Sequence, residues 1–240
     1  MSINGKRVVV IGGTSGIGLA VAEQAVKQGA EIVIASSDQS RVEEAAAKLA
    51  AAGQVRGIRV DATDEASIRS LFDEVGAFDH LVYTAGEALL LKPITEVSAE
   101  EARAFFERRY WGAFLAAKHA AAHLRPGGSI VLTSGGVATR PAPGTSVPAS
   151  TTGAVESLTR ALALDLAPIR VNAVRPGVIR TELWDGTVPE PQPFLDAVAG
   201  TLPVQHVGTP EEIAQTYLYL LNNTYSTGTV VVADGGQALV

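Results

Sequence analysis

Short runs of branched apolar residues recur along the chain, and each gives way to a stretch in which apolar positions return every three or four residues. The first run is Val8, Val9, Val10 and Ile11. Unbroken, it predicts a strand buried on both faces of a parallel sheet. The same pattern predicts strands at 32–35, 57–60, 79–84, 129–133, 169–174 and 229–232. Between them the helical period predicts a helix carrying Ile17, Val21 and Ala25 on one face and stopping at Gly29. Further helices are predicted over 41–51, 66–75, 98–124, 150–166 and 210–221, the long one stopping at Pro126-Gly127-Gly128. Strands alternating with helices of ten or more residues build βαβ units. The expected fold is therefore α/β, a doubly wound parallel sheet with helices on both faces.

Two stretches break the rhythm. Residues 135–148 are rich in Gly, Pro and Ala, and 182–208 carry Pro189, Pro191, Pro193 and Pro203 with Trp184 and Phe194. In an open α/β sheet both fall beyond the carboxyl ends of strands, where ligands bind. Their lengths fit binding loops or lids, and 182–208 is the expected substrate-loop region. A variable surface insertion is the alternative for that second stretch.

With 240 residues, 47% of them hydrophobic and 18% charged, the chain is expected to fold as one globular domain, 1–240. A net charge of −6 argues against nucleic acid or an anionic membrane as partner. The absence of Cys removes disulfides, thiolate metal sites and a Cys nucleophile. The first strand starts too early to leave room for a signal peptide, and no apolar run is long enough to span a bilayer, so a cytoplasmic protein is expected.

Gly12, Gly16 and Gly18, with Thr14 and Ser15 between them, join the first strand to the first helix. Glycine lets a backbone approach a pyrophosphate without a Cβ, and a helix N-terminus offers unpaired N–H groups. The spacing is GxxxGxG, and taken alone it is equally a plain tight turn.

Further motifs follow in order: Asp61-Ala62; YTAG at 83–86; IRVNAVRPGVIRT at 169–181; TPEEIA at 209–214; ADGG at 233–236. Together with GGTSGIG at 12–18 they resemble the short-chain dehydrogenase/reductase family over essentially the whole chain. The resemblance implies seven strands in the order 3-2-1-4-5-6-7 and a nicotinamide cofactor. Gly12, Thr14, Ser15, Gly16, Ile17 and Gly18 would form its phosphate loop. Asp61 and Ala62 would hold the adenine, Ala85 and Gly86 would line the strand end, and Pro176, Gly177, Ile179 and Thr181 would face the nicotinamide. A member preferring NAD would carry an acid at position 36. Here Ser36 and Ser37 are neutral, with Arg41 close by, so the expected cofactor is NADP(H), although Asp38 could reach a ribose after a loop shift. The resemblance also implies a homotetramer built on the long helix and the 150–166 helix, with Ala116, Ala117, Ala120, Ala121, Ala154, Ala161 and Ala163 permitting close contact.

The family's Asn, Ser, Tyr and Lys fall on Arg109, Gly135, Pro148 and Thr152. No slipped alignment restores them. The tyrosines are Tyr83, Tyr110, Tyr217, Tyr219 and Tyr225, the last lysine is Lys118, and no YxxxK exists. A tyrosine needs a neighbouring ammonium to donate its proton near neutral pH, so the usual proton relay is absent. Ser134 could orient a substrate carbonyl or cap a turn. Arg109 could stabilise an oxyanion or be a solvated surface group. Tyr83 and Tyr110 read as packing residues. His119 and His123 stand one helical turn apart without an obvious third ligand, and no metal is expected. The expectation is an atypical NADP(H)-dependent oxidoreductase reducing activated carbonyl or quinone acceptors without the Tyr–Lys acid. The alternative is a non-catalytic cofactor-binding sensor or inactive partner subunit.

Overall fold

A computed structural model describes residues 2–86 and 88–240. Seven parallel strands form one sheet: β1 (Arg7–Ile11), β2 (Glu31–Ser36), β3 (Val55–Arg59), β4 (Phe78–Tyr83), β5 (Leu124–Thr133), β6 (Arg170–Pro176) and β7 (Val230–Ala233). Their order is β3-β2-β1-β4-β5-β6-β7, as the resemblance implied. Ile11 is level with Ala35 of β2 and with Tyr83 of β4, so these three strands end together where the winding reverses.

The helices are α1 (Gly16–Lys27), α2 (Gln39–Leu49), α3 (Glu65–Val75), α4 (Ala99–Phe106), α5 (Gly112–Ala120), α6 (Ser146–Asp165), α7 (Pro191–Thr201) and α8 (Pro210–Asn222). Successive strand side chains point to opposite faces, and β1 supplies both cores. Val9 and Ile11 pack with Ile68, Phe72, Ala116 and Ala117 of α3 and α5. Val8 and Val10 pack with Val21, Ala25, Ile213 and Tyr217 of α1 and α8. Each fully buried branched side chain contributes roughly 1.5–3 kcal/mol, so a charge anywhere in this strand would break the sheet at its centre. His80 of β4 is also buried, its Nδ1 2.9 Å from Ser129 Oγ.

Three features differ from the expected pattern. The long helix is two helices, α4 and α5, separated by a π-helical turn, Glu107–Trp111, and it ends at Ala120. The turn changes the helical phase: α4 buries only Phe105, whereas Gly112, Ala113, Ala116, Ala117 and Ala120 of α5 are all buried. Gly112 lies so close to Ala62 and Tyr83 that its Cβ would stand 2.7 Å from Ala62 O. Secondly, α6 starts at Ser146, because Pro148 sits in the first turn, where no helical carbonyl awaits its missing N–H. Thirdly, 182–208 holds α7, which begins on Pro191, a residue suited to a helix start.

The alanines expected to serve an assembly divide. Ala116, Ala117, Ala120 and Ala163 are buried in the chain's own core, Ala161 is exposed, and Ala121 and Ala154 lie between. Four of the seven are spent on the interior. No helix among the described residues is long and apolar enough to cross a membrane.

Candidate active site

A cavity of about 510 Å³ opens at the carboxyl ends of the strands, over the point where the winding reverses. Its floor is the glycine loop. Gly12 has φ +88°, and a Cβ there would stand 2.6 Å from Ala85 N; Gly16 has φ +48°. A Cβ on Gly18 would run into Gly12 O and Thr84 Oγ1. Ser15, the residue before α1, makes no side-chain cap, which leaves the helix's first N–H groups to whatever lies in front of them. A backbone stripped of Cβ atoms before an uncapped helix end fits a pyrophosphate.

Past β2, Ser36, Ser37 and Arg41 line the cavity. Asp38 does not: its Oδ1 accepts the Arg41 backbone N–H at 3.1 Å and caps α2. The loop shift that would bring this acid to a ribose is not made. Arg59 Nε donates to Ser37 O at 3.0 Å, a second cation beside the same turn. Neutral hydroxyls flanked by guanidinium groups fit a phosphate better than they fit a diol.

Ala62 lines the cavity with Val60, but Asp61, expected beside the adenine, is absent from its wall. Asp61 Oδ1 accepts from Thr63 N at 2.9 Å and Thr63 Oγ1 at 2.7 Å, and these bonds hold its carboxyl below the ordinary aspartate range. A local side-chain-to-backbone turn has claimed it. Every other expected cofactor residue lines the cavity: Gly12, Thr14, Ser15, Gly16, Ile17, Gly18, Ser36, Ser37, Arg41, Ala62, Ala85, Gly86, Pro176, Gly177, Ile179 and Thr181. Gly177 is pressed against the end of β7, where a Cβ would meet Asp234 Cα at 2.7 Å.

Ser134 and Arg109 also reach the cavity. Ser134 is buried, and its Oγ donates to Glu156 Oε1 at 2.7 Å. Glu156 in turn takes Arg175 Nε and Nη2, each at 2.7 Å. Burial pushes the Glu156 carboxyl up, but the bonds from Arg175 and Ser134 outweigh it and hold it below the usual glutamate range. Arg109 stands on the π-helical turn with its Cζ 4.8 Å from the Phe105 ring centroid. Its guanidinium lies on Gly86, where a Cβ would come within 2.8 Å of Cζ.

Gly135, Pro148 and Thr152 line the cavity, and Thr152 Oγ1 is turned back to Pro148 O at 2.8 Å. No tyrosine, lysine or histidine is among the described residues of its wall. Tyr83 is buried and donates to Arg108 O; Tyr110 packs on Phe106 and Trp111. Tyr217 is sealed in the core with its hydroxyl 2.7 Å from Thr133 Oγ1, and burial raises its pKa above the ordinary range. His119 pairs with Glu65 and His123 with Asp73, so the two rings serve separate partners.

Several wall residues were not singled out from sequence: Leu89, Phe105, Val137 and Gln237. The prolines and Trp184 of 182–208 pointed to that wall, but Gln237 lies beyond the last motif and carries no local signal. Its Oε1 is buried with no hydrogen-bond partner, and its backbone O accepts from Arg140 Nη1 at 2.5 Å.

Residues 11–238 match the family described as enoyl-(acyl carrier protein) reductase. The short-chain dehydrogenase/reductase ucsE of Acremonium sp is 40% identical over 255 residues, covering 98% of this chain and 96% of that protein. The chain belongs to the short-chain dehydrogenase/reductase family. Among solved members, a small-chain dehydrogenase in complex with NADPH shares 36% identity with a TM-score of 0.84, over 99% of this chain and 100% of that one. The MalC reductase/Diels-Alderase of Malbranchea aurantiaca shares 31% with a TM-score of 0.92, over 99% and 98%. The four positions that the resemblance assigns to the usual catalytic set, Arg109, Gly135, Pro148 and Thr152, all lie on the wall of one cavity.

Proposed function

We propose that the protein is an NADP(H)-dependent oxidoreductase that reduces activated carbonyl or quinone acceptors. The observation that carries this reading is the cavity wall itself: a glycine cradle and a cationic Ser36–Ser37 turn at one end, and no tyrosine, lysine or histidine among the described residues at the other. The NADPH held by the solved relative supports the choice of cofactor. Bound, the nicotinamide supplies a hydride.

The chain's own contribution is binding and aim. Gly12 to Gly18 and the α1 N-terminus hold the pyrophosphate, Arg41 meets the 2′-phosphate, and Pro176 to Thr181 orient the reactive ring. Such positioning supplies about 7–11 kcal/mol of the barrier. The loss of a general acid costs about 10²–10⁴-fold. That loss matters least where the reduced anion is already stable, as in quinones and activated dicarbonyls. Arg109, lying against Gly86, offsets part of it by stabilising the developing oxyanion.

The test follows NADPH oxidation against quinones, α-diketones, aldehydes and unactivated ketones. Turnover should fall in that order, and Arg109→Ala should lower it while NADPH binding stays nearly unchanged. Tight NADPH binding with no acceptor reduced would transfer the protein to the alternative reading, a cofactor sensor or inactive partner subunit. A homotetramer belongs to the same proposal, supported by Trp111 and Leu164, which are 44% and 81% exposed. A monomer by light scattering would remove that part.

A further inference from the structure

The hydroxyl of Ser134 faces the wrong way to donate to a carbonyl. An ionised carboxylate can only accept hydrogen bonds. Glu156 is 5% exposed and accepts three: one from Ser134 Oγ and two from Arg175, all at 2.7 Å. Arg160 Nη2 lies 3.7 Å from the same carboxylate. The other acceptor near Ser134 Oγ is Thr152 O at 3.4 Å, too long to compete. The one Ser134 proton is therefore fixed on Glu156. What this side chain keeps for the cavity is an oxygen lone pair.

Turning the hydroxyl round would cost a buried, charge-assisted bond, which is among the stronger hydrogen bonds a protein makes. Leu89, Phe105, Val137 and Trp184 give this end of the cavity apolar wall, with Arg109 and Gln237 among its polar groups. Pro148 has no N–H and Gly135 no side chain, and Thr152 donates its own proton to Pro148 O.

We infer that Ser134 is a specificity-determining acceptor, which reads an O–H or N–H donor on an apolar, ring-bearing substrate. Glu156 and Arg175 are its positioning residues. The inference rests on the reading of this cavity as a substrate site, and it narrows the acceptor to one bearing a hydroxyl or N–H beside its carbonyl. Ser134 accepts from that group, and Arg109 on the same wall meets the carbonyl oxygen.

Two ligands that cannot be reduced separate this inference from the oxidoreductase reading. Binding of 2-naphthol and of 2-methoxynaphthalene to the NADPH-loaded protein is measured by calorimetry. The phenol should bind about three- to tenfold tighter, the equivalent of one hydrogen bond. In Ser134→Ala the ratio should fall to one or invert in favour of the more apolar ether. That variant keeps both Glu156–Arg175 bonds, and NADPH affinity checks that it is folded. Equal or tighter binding of the ether by the wild type, a preference that survives in Ser134→Ala, or failure of both ligands to bind would each overturn the inference. A phenol preference lost in Ser134→Ala, in a protein that reduces no acceptor, would keep the donor-reading site and remove the oxidoreductase reading alone.

Discussion

Replacing Arg41 by alanine isolates the cation at the cofactor turn. The capping bond from Asp38 goes to the Arg41 backbone N–H, which alanine retains, and alanine favours a helix, so α2 should stand unchanged. What is lost is one guanidinium at the wall beside Ser36 and Ser37. Two unit charges about 4 Å apart interact by about 1 kcal/mol in water and about 4 kcal/mol near a protein surface. Arg41 is exposed, which places it near the aqueous limit, while a phosphate carries between one and two charges. The expected loss is about 1–2 kcal/mol, or about 5–30-fold in the NADPH dissociation constant. NADH lacks the 2′-phosphate and should change less than about twofold. Fluorescence titration of both cofactors measures the difference, and raising salt from about 50 mM to about 0.5 M should narrow it. Equal weakening of NADPH and NADH, or no weakening of either, would refute the assignment of this turn to a 2′-phosphate.

Gly18→Ala presses a Cβ into Gly12 O and Thr84 Oγ1. The clash costs about 1–3 kcal/mol and displaces the phosphate loop, so the same titrations should show both cofactors weakened together. His80 tests the interior: burial brings its pKa down to about 4 from 6.5. The unfolded chain takes up the proton first, so the stability His80 contributes is complete above pH 6.5 and is lost as pH falls towards 4; urea denaturation should show about 2 kcal/mol of it gone by pH 5. His80→Gln should lose that slope, whereas exposed His206, whose pKa is raised by Val204 O and Glu212, works with the opposite sign in both proteins. Arg175→Ala leaves Glu156 buried with its main partner gone and should cost about 3–5 kcal/mol by urea unfolding, much of it recovered in Arg175→Ala/Glu156→Leu. No recovery in the double variant would mean that packing, not charge, carries the effect.

The sheet was legible because runs such as Val8 to Ile11 have few alternatives to a buried strand. The strand order came from resemblance, since periodicity says nothing about neighbours. The π-helical turn was hidden because 98–124 reads as helix throughout, and one widened turn leaves no mark in composition. The start of α7 was masked by Pro191, which breaks a helix anywhere but at its first turn. Asp61 matched its motif, and the bonds of its Oδ1 to Thr63, two residues on, are a local detail the motif does not show. The polarity of Ser134 was beyond local reading altogether. It is set by Glu156, 22 positions later on another element, and by Arg175, which follows on a third.

Residues 182–208 rest on foundations of their own. Trp184, Leu195, Leu202 and Val207 bury one another apart from both sheet cores. The segment leaves and returns at one place, where Ile179 pairs with Gly208 and Arg180 N donates to Gly208 O at 2.8 Å. A loop whose ends already meet can change length at small entropic cost. This segment is therefore held by a hydrophobic cluster separate from those on the two faces of the sheet. Exchanging this cassette with that of a relative should alter which acceptors fit, while urea midpoint and NADPH affinity hold steady. Descendants of one scaffold could diversify in this way, by rewriting a single interchangeable segment above an inherited cofactor platform.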